Sequence, residues 1–351
     1  MNMQSLAYSF CATALLTFPS YAATIQLVAG GTRDAVDIPA AEALLREPFG
    51  TEFDAQGRAW IVEMVAGNRL LQIDESGRLR HKAGRLQPGL SGDGGPAIEA
   101  QFNGPHNLAV LPSGDVLIGD TWNGRVRRVD VGTGRVTTVE GWAAPPGKER
   151  AQGPYCITLS PDGSQLYIAN LLQVHVLDLT TKTSRVVAGN GKKGMPQEGV
   201  AAENSPLVDP RAVAADRNGN VYILERTGNA LRVVDKDGRI RTVVNVTGRK
   251  GADGDGAAAA EATMNGPKHL CVDRDGSVLI ADAENHLIRR YVPSTGRIER
   301  VAGTGVRGSA GVGGDPLKCQ LNRPHGVTVH PQTGELYITD SYNHRILRIV
   351  P

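Results

Sequence analysis

A proline recurs along the chain as Pro48, Pro105, Pro154, Pro210, Pro267 and Pro324, at intervals of 57, 49, 56, 57 and 57 residues. So steady a period means one supersecondary unit repeated six times, and no single unit can bury its apolar residues without its neighbours. Inside each copy three short segments alternate apolar and polar residues between Asp-Gly or Asn-Gly type breaks, which predicts consecutive antiparallel strands joined by tight turns. In the fifth copy these are 269–273, 277–282 and 287–292, with a fourth strand over 297–302 that ends at Gly303. Four strands in each of six copies predict an all-β chain, a six-bladed β-propeller of four-stranded antiparallel blades. The last copy stops after its third strand, while residues 24–30 repeat the pattern of 298–303. The N-terminal strand is therefore expected to complete the last blade and close the ring, removing two free sheet edges.

Forty per cent of the 351 residues are hydrophobic, enough for a large core, and the repeat makes 23–351 one domain where length alone suggests two. With 38 basic and 36 acidic residues the net charge is +2, and no basic block stands out. Nothing in that balance calls for nucleic acid or an anionic membrane surface as partner. Residues 1–22 hold no Asp, Glu, Lys or Arg, contain an apolar stretch around Phe10 to Phe18, and end in Ser20-Tyr21-Ala22. That small-x-small ending predicts a signal peptide over 1–22 and a secreted or periplasmic mature protein, expected as a monomer. The apolar run is too short to cross a bilayer, and no other span is foreseen. Cys156, Cys271 and Cys319 remain, an odd number without Cys-x-x-Cys spacing, which indicates neither a disulfide framework nor a zinc motif. Cys156 and Cys271 read as small apolar residues of first strands, and Cys271–Cys319 is the one conceivable bridge.

Gly- and Ala-rich connectors precede most blades (31–46, 84–103, 189–209, 248–265 and 303–322), and 40–46 is expected to form one helical turn. Their length suggests function or flexibility. The connector 141–153 is shorter, and the third blade diverges most, with Asn170-Leu-Leu-Gln-Val-His where other blades carry Asp-x-x-Asn.

The run Gly92-Asp-Gly-Gly-Pro-Ala, then Phe102-Asn-Gly-Pro-His-Asn-Leu-Ala-Val, then Ile118-Gly-Asp-Thr-Trp-Asn-Gly-Arg-Val-Arg-Arg-Val resembles the NHL repeat, as do the copies with Asn285-His286-Leu287 and Asn343-His344-Arg345. The resemblance covers roughly 24–351. It implies the propeller fold, and it leaves function open between binding scaffold and enzyme.

Two residue sets converge on one end of such a ring. The residue after each opening proline is Phe49, His106, Tyr155, Arg211, Lys268 or His325, and the second strand closes on Glu63, Asp120, Asn170, Glu225, Asp282 or Asp340. The first set varies through aromatic, imidazole and cationic side chains, as a ligand site does and a purely structural position does not. The second reads as a turn device, its Asp and Asn side chains bonding nearby backbone. Trp122 and Tyr342, at matching turns beside His106 and His325, are expected to be solvent-exposed and able to stack on sugars.

The paired Pro-His motifs resemble those of the peptidyl-hydroxyglycine amidating lyases, NHL-like propellers whose zinc is held by three histidines on alternate blades. That likeness makes His106 and His325 candidate ligands for zinc or another divalent metal, with Arg211 standing where the third histidine would. Gluconolactonase-type propellers are a second resemblance; Glu47 matches their glutamate, while His106, Arg211 and His325 replace oxygen ligands that a hard cation prefers. Arg211 and Lys268 read more simply as a cationic patch for an anionic group, or as partners of Glu225 and Asp282 on their own blades. The leading expectation is a non-catalytic scaffold that holds a protein, peptide or glycan through His106, Arg211, Lys268, His325, Trp122 and Tyr342. The alternative is a metal-dependent lyase or hydrolase centred on His106 and His325.

Overall fold

A computed structural model describes residues 23–351; the expected signal peptide lies outside the described residues. Six antiparallel sheets follow one another in chain order, and each uses its first strand as the innermost. These inner strands are Pro48–Phe53, Asn107–Val110, Cys156–Leu159, Pro210–Ala215, His269–Val272 and Gly326–Val329. Each packs beside the next, and the first packs beside the last, so they enclose one central channel.

Every sheet is covered on both faces by its neighbours, which is why the second strands read as nearly unbroken apolar runs. Ala59–Glu63, Val116–Asp120, Val221–Glu225, Val278–Asp282 and Leu336–Asp340 are buried along their whole length. The divergent third blade is the exception, with Gln165–Ala169 only partly buried. The hairpins between first and second strands turn on glycines in the left-handed region, such as Gly276 at φ 82°, where a side chain would be strained.

Closure is as expected. Thr24–Ala29 pairs antiparallel with Arg345–Val350, Thr24 opposite Val350, so chain start and chain end share one sheet.

The connectors differ from expectation. Residues 40–46 form a hydrogen-bonded turn rather than a helical one, with Ala43 N–H donating to Ala40 O at 3.2 Å. Far from loose, five connectors fold along the outer edge of the blade they introduce. Gly94 N–H donates to Val136 O at 2.7 Å, Gly199 N–H to Ile240 O at 2.8 Å, Gly256 N–H to Ile298 O at 2.7 Å and Gly313 N–H to Ile25 O at 2.7 Å, while Asp37 N–H bonds Leu79 O at 2.7 Å. Covering an edge removes the unpaired groups that would recruit another chain. The short connector before blade three instead forms the helix Glu149–Gln152, and among the described residues no connector bonds the backbone of the edge strand Ser184–Ala188, though Gly141 O accepts from Ser184 Oγ at 2.8 Å.

Candidate functional site

The six residues after the opening prolines do meet at one mouth of the channel. A local device aims most of them there: the residue two before each site position is left-handed in five blades, namely Glu47, Gly104, Asp209, Gly266 and Arg323, with φ between 47° and 61°. Proline then resumes the extended backbone, and the following side chain turns toward the axis.

The rings touch in sequence round the mouth. Tyr342 stacks on His325 with centroids 5.7 Å apart, His325 on Phe49 at 4.1 Å, Phe49 meets His106 edge-on at 5.3 Å, and His106 meets Tyr155 at 4.8 Å. Arg211 lies over Tyr155 at 4.5 Å, Arg323 over Tyr342 at 5.3 Å, and Arg150 of the short helix over Trp122 at 4.1 Å. Trp122 joins the belt through His106 at 6.0 Å. Tyr342 is 40% exposed as expected, but Trp122 is half-buried, because Arg150 covers it and Gly104 lets its ring approach the backbone.

His106 and His325 share one arrangement. Each donates Nδ1–H to the carbonyl two residues earlier, Gly104 O at 2.7 Å and Arg323 O at 2.8 Å. A carbonyl only accepts, so the proton sits on Nδ1 and Nε2 keeps its lone pair. Burial, then the Arg211 charge, holds His106 well below its usual range; burial, then Lys268 and Arg211, does the same to His325. Both imidazoles are neutral at pH 7.

The cations do not pair as the alternative reading had it. Glu225 binds Arg232 at 2.7 Å and Asp282 sits 3.5 Å from Arg289, both arginines buried. Lys268 Nζ is 3.3 Å from Glu284, which also binds Arg323 at 2.6 Å, and Arg226 binds Asp209 at 2.7 Å. Burial first, then Arg211, lowers Lys268 to about 8. Arg211, 5% exposed, has neither carboxylate nor hydrogen-bond partner on its buried Nε and Nη1 among the described residues. Burial and then Arg226 lower it to about 10, which still leaves it charged at pH 7.

The second set is structural, as read. Asp120, Asp282 and Asp340 each accept from the incoming connector, at Asn103 N, Asn265 N and Asn322 N, at 2.7–2.9 Å. Their second oxygens take Asn123, Asn285 and Asn343 Nδ2 at 2.7–2.8 Å. These carboxylates staple each connector to its blade.

Residues 94–253 match the family model described as the teneurin NHL domain, and 264–291 and 321–349 match that of the NHL repeat. The chain is an NHL-repeat β-propeller. This NHL propeller is 26% identical over 288 residues to protein SUPPRESSOR OF QUENCHING 1, chloroplastic, of Arabidopsis thaliana, covering 74% of the propeller chain and 26% of the relative. It is 23% identical over 328 residues to human NHL repeat-containing protein 2, covering 82% and 44%. The chain thus spans less than half the length of either relative. Among solved structures, an auxiliary nutrient binding protein of Bacteroides thetaiotaomicron superposes with TM-score 0.68 at 17% identity, over 93% of this chain and 76% of that one; that likeness is one of fold.

Zinc does not fit the NHL propeller's histidine pair. The Phe49 ring packs against both imidazoles, Arg211 occupies the third position, and among the described residues no three His, Cys, Asp or Glu side chains form a metal cluster. Structural and catalytic zinc sites both need at least three protein ligands. Cys156, Cys271 and Cys319 are free thiols, so the Cys271–Cys319 bridge is not formed; Cys156 and Cys319 are buried.

Three residues that matter to the channel escaped the sequence pattern. Asn107 and His269, one place past the mouth ring, hydrogen-bond each other, and Glu52, three places past it, lines a chamber of about 500 Å³ with Thr158, His269, Cys271 and Thr328. Burial raises Glu52 to about 7, with only a weak bond from Thr328 opposing it. The signal was available: these are the same inner strands read one and three steps further.

Proposed function

We propose that this NHL propeller is a binding scaffold, exported from the cell, that holds a protein, peptide or glycan ligand on the mouth carrying His106, Arg211, Lys268, His325, Trp122 and Tyr342. The observation that carries the reading is the unbroken belt of rings from Tyr342 through His325, Phe49 and His106 to Tyr155, flanked by arginines. Phe49, His106 and His325 form its buried floor, and the exposed Tyr342 with the half-buried Tyr155 present rigid, amphipathic rings at low entropic cost, of the kind that recognition sites favour. A fold neighbour described as an auxiliary nutrient binding protein supports a binding role. Export rests on the character of residues 1–22.

The test is a binding screen on glycan and peptide arrays with wild type and the double variant Trp122→Ala/Tyr342→Ala. A ligand that binds wild type and loses at least tenfold affinity in the variant supports the reading; ligands that bind both equally refute it. N-terminal sequencing of protein recovered from the producing cells tests export, with Ala23 as the expected first residue.

A further inference from the structure

Arg211 is the feature of the mouth that the described residues leave incomplete. Among the cations beside it, Lys268 and Arg323 share the one carboxylate of Glu284, and Arg226 has Asp209. Arg211 has only the face of Tyr155, and its Nε and Nη1 are buried without a partner. A guanidinium out of water with unpaired N–H groups is costly in a fold. Such a cost persists where the missing partner is a ligand, because polar groups of a site are left unpaired until it arrives.

Resting on the reading of the mouth as the ligand surface, we propose that Arg211 anchors the carboxylate of a sugar acid, a glycan residue that carries one –COO⁻ among hydroxyls. The charge count selects an anion, since Arg211, Lys268, Arg323 and Arg226 meet only the two carboxylates of Glu284 and Asp209 and Arg211 has no ion pair at all. The planar fork of arginine suits the two oxygens of a carboxylate. The remaining groups select hydroxyls. His106 and His325 carry Nδ1–H bound to backbone, so each Nε2 is an acceptor, available to an O–H and repelled by a second anion. The exposed Tyr342 and the half-buried Tyr155 supply aromatic surface of the kind that packs against pyranose C–H groups.

The experiment titrates wild type, Arg211→Gln and Arg211→Lys with a panel of uronate oligosaccharides (galacturonate, glucuronate and mannuronate), each beside its neutral methyl ester, by calorimetry. A uronate that binds wild type and loses at least tenfold affinity on esterification and in both variants supports the proposal. Equal binding of acid and ester, or no binding of any uronate at millimolar concentration, overturns it. If neutral oligosaccharides bind and depend on Trp122 and Tyr342 but not on Arg211, the mouth is still the ligand surface and only the carboxylate assignment fails. Loss of dependence on Trp122 and Tyr342 as well removes both. A second measurement needs no ligand: Arg211→Met, which keeps the aliphatic stem, is expected to melt at or above the wild-type temperature because an unpaired charge is removed. A merely structural guanidinium holding Tyr155 in place predicts a fall of several degrees instead, and that result overturns the proposal.

Discussion

Asn107 Nδ2 on blade two is hydrogen-bonded to Nε2 of His269 on blade five, 3.1 Å away, while Val327 N–H lies 3.4 Å from Nδ1 of the same ring. In a six-bladed ring those blades face each other across the axis, so this one hydrogen bond divides the channel into the cationic mouth and the Glu52 chamber. Asn107 Oδ1 meanwhile accepts Ile157 N–H at 3.0 Å, which fixes the orientation of the amide. Asn107→Ala strips partners from two buried groups and is expected to cost about 1–3 kcal/mol, read as a lower midpoint in urea unfolding. An unchanged midpoint would show that the bridge carries no stability.

The same bridge has a pH dependence. Burial, with Arg211 adding to it, lowers His269 from 6.5 to about 4, and a doubly protonated ring would turn N–H groups toward both Asn107 Nδ2 and Val327 N–H. The unfolded chain takes up this proton at higher pH than the folded one, so the bridge contributes fully above about pH 6.5 and its contribution fades as pH falls toward 4. The stability gap between wild type and His269→Gln should therefore shrink over that interval; a constant gap contradicts the assignment.

Glu52 behaves in the opposite sense. Its carboxyl, raised by burial from 4.5 to about 7, stays protonated in the fold where the unfolded chain has already ionised. Wild type thus loses stability relative to Glu52→Gln as pH rises from 4.5 to 7, by on the order of 2–3 kcal/mol. Melting temperatures of both proteins across that interval check it, and parallel curves would place Glu52 in water.

Arg232, 1% exposed, puts Nε and Nη2 on Glu225 Oε2 at 3.0 and 2.7 Å. Glu225→Gln leaves a buried guanidinium without its carboxylate and is expected to cost about 3–5 kcal/mol, whereas the double variant Glu225→Met/Arg232→Met should cost far less. Denaturant unfolding of the single and double variants gives the comparison; a double variant as unstable as the single one would contradict it.

Zinc added to the purified protein should leave the imidazole resonances of His106 and His325 unmoved at stoichiometric metal, because only two imidazoles are on offer and Phe49 packs against both. Saturable perturbation of both rings would reinstate a metal site.

The ring itself was legible from the repeat. Six prolines at a steady period, strand-length alternation and the match of 24–30 to 298–303 together determine blade number, strand order and closure, because each of these depends on local pattern and on the need of each sheet for covered faces. The position after each proline could also be read, since the same left-handed residue and proline precede it in most blades. What those side chains do there could not. Whether Arg211 pairs with Glu225 on its own blade or stays unpaired depends on Arg232 reaching Glu225 first, and whether His106 and His325 face an open site depends on Phe49 of the intervening blade. The cross-channel bond of Asn107 to His269 joins residues 162 positions apart. Contacts across the axis and between blades are made by atoms that closing the ring brings together, at distances the repeat pattern does not encode, so the chain's own sequence determined the scaffold and only the tertiary structure decided which of its groups are satisfied and which, like Arg211 Nε and Nη1, are left unpaired.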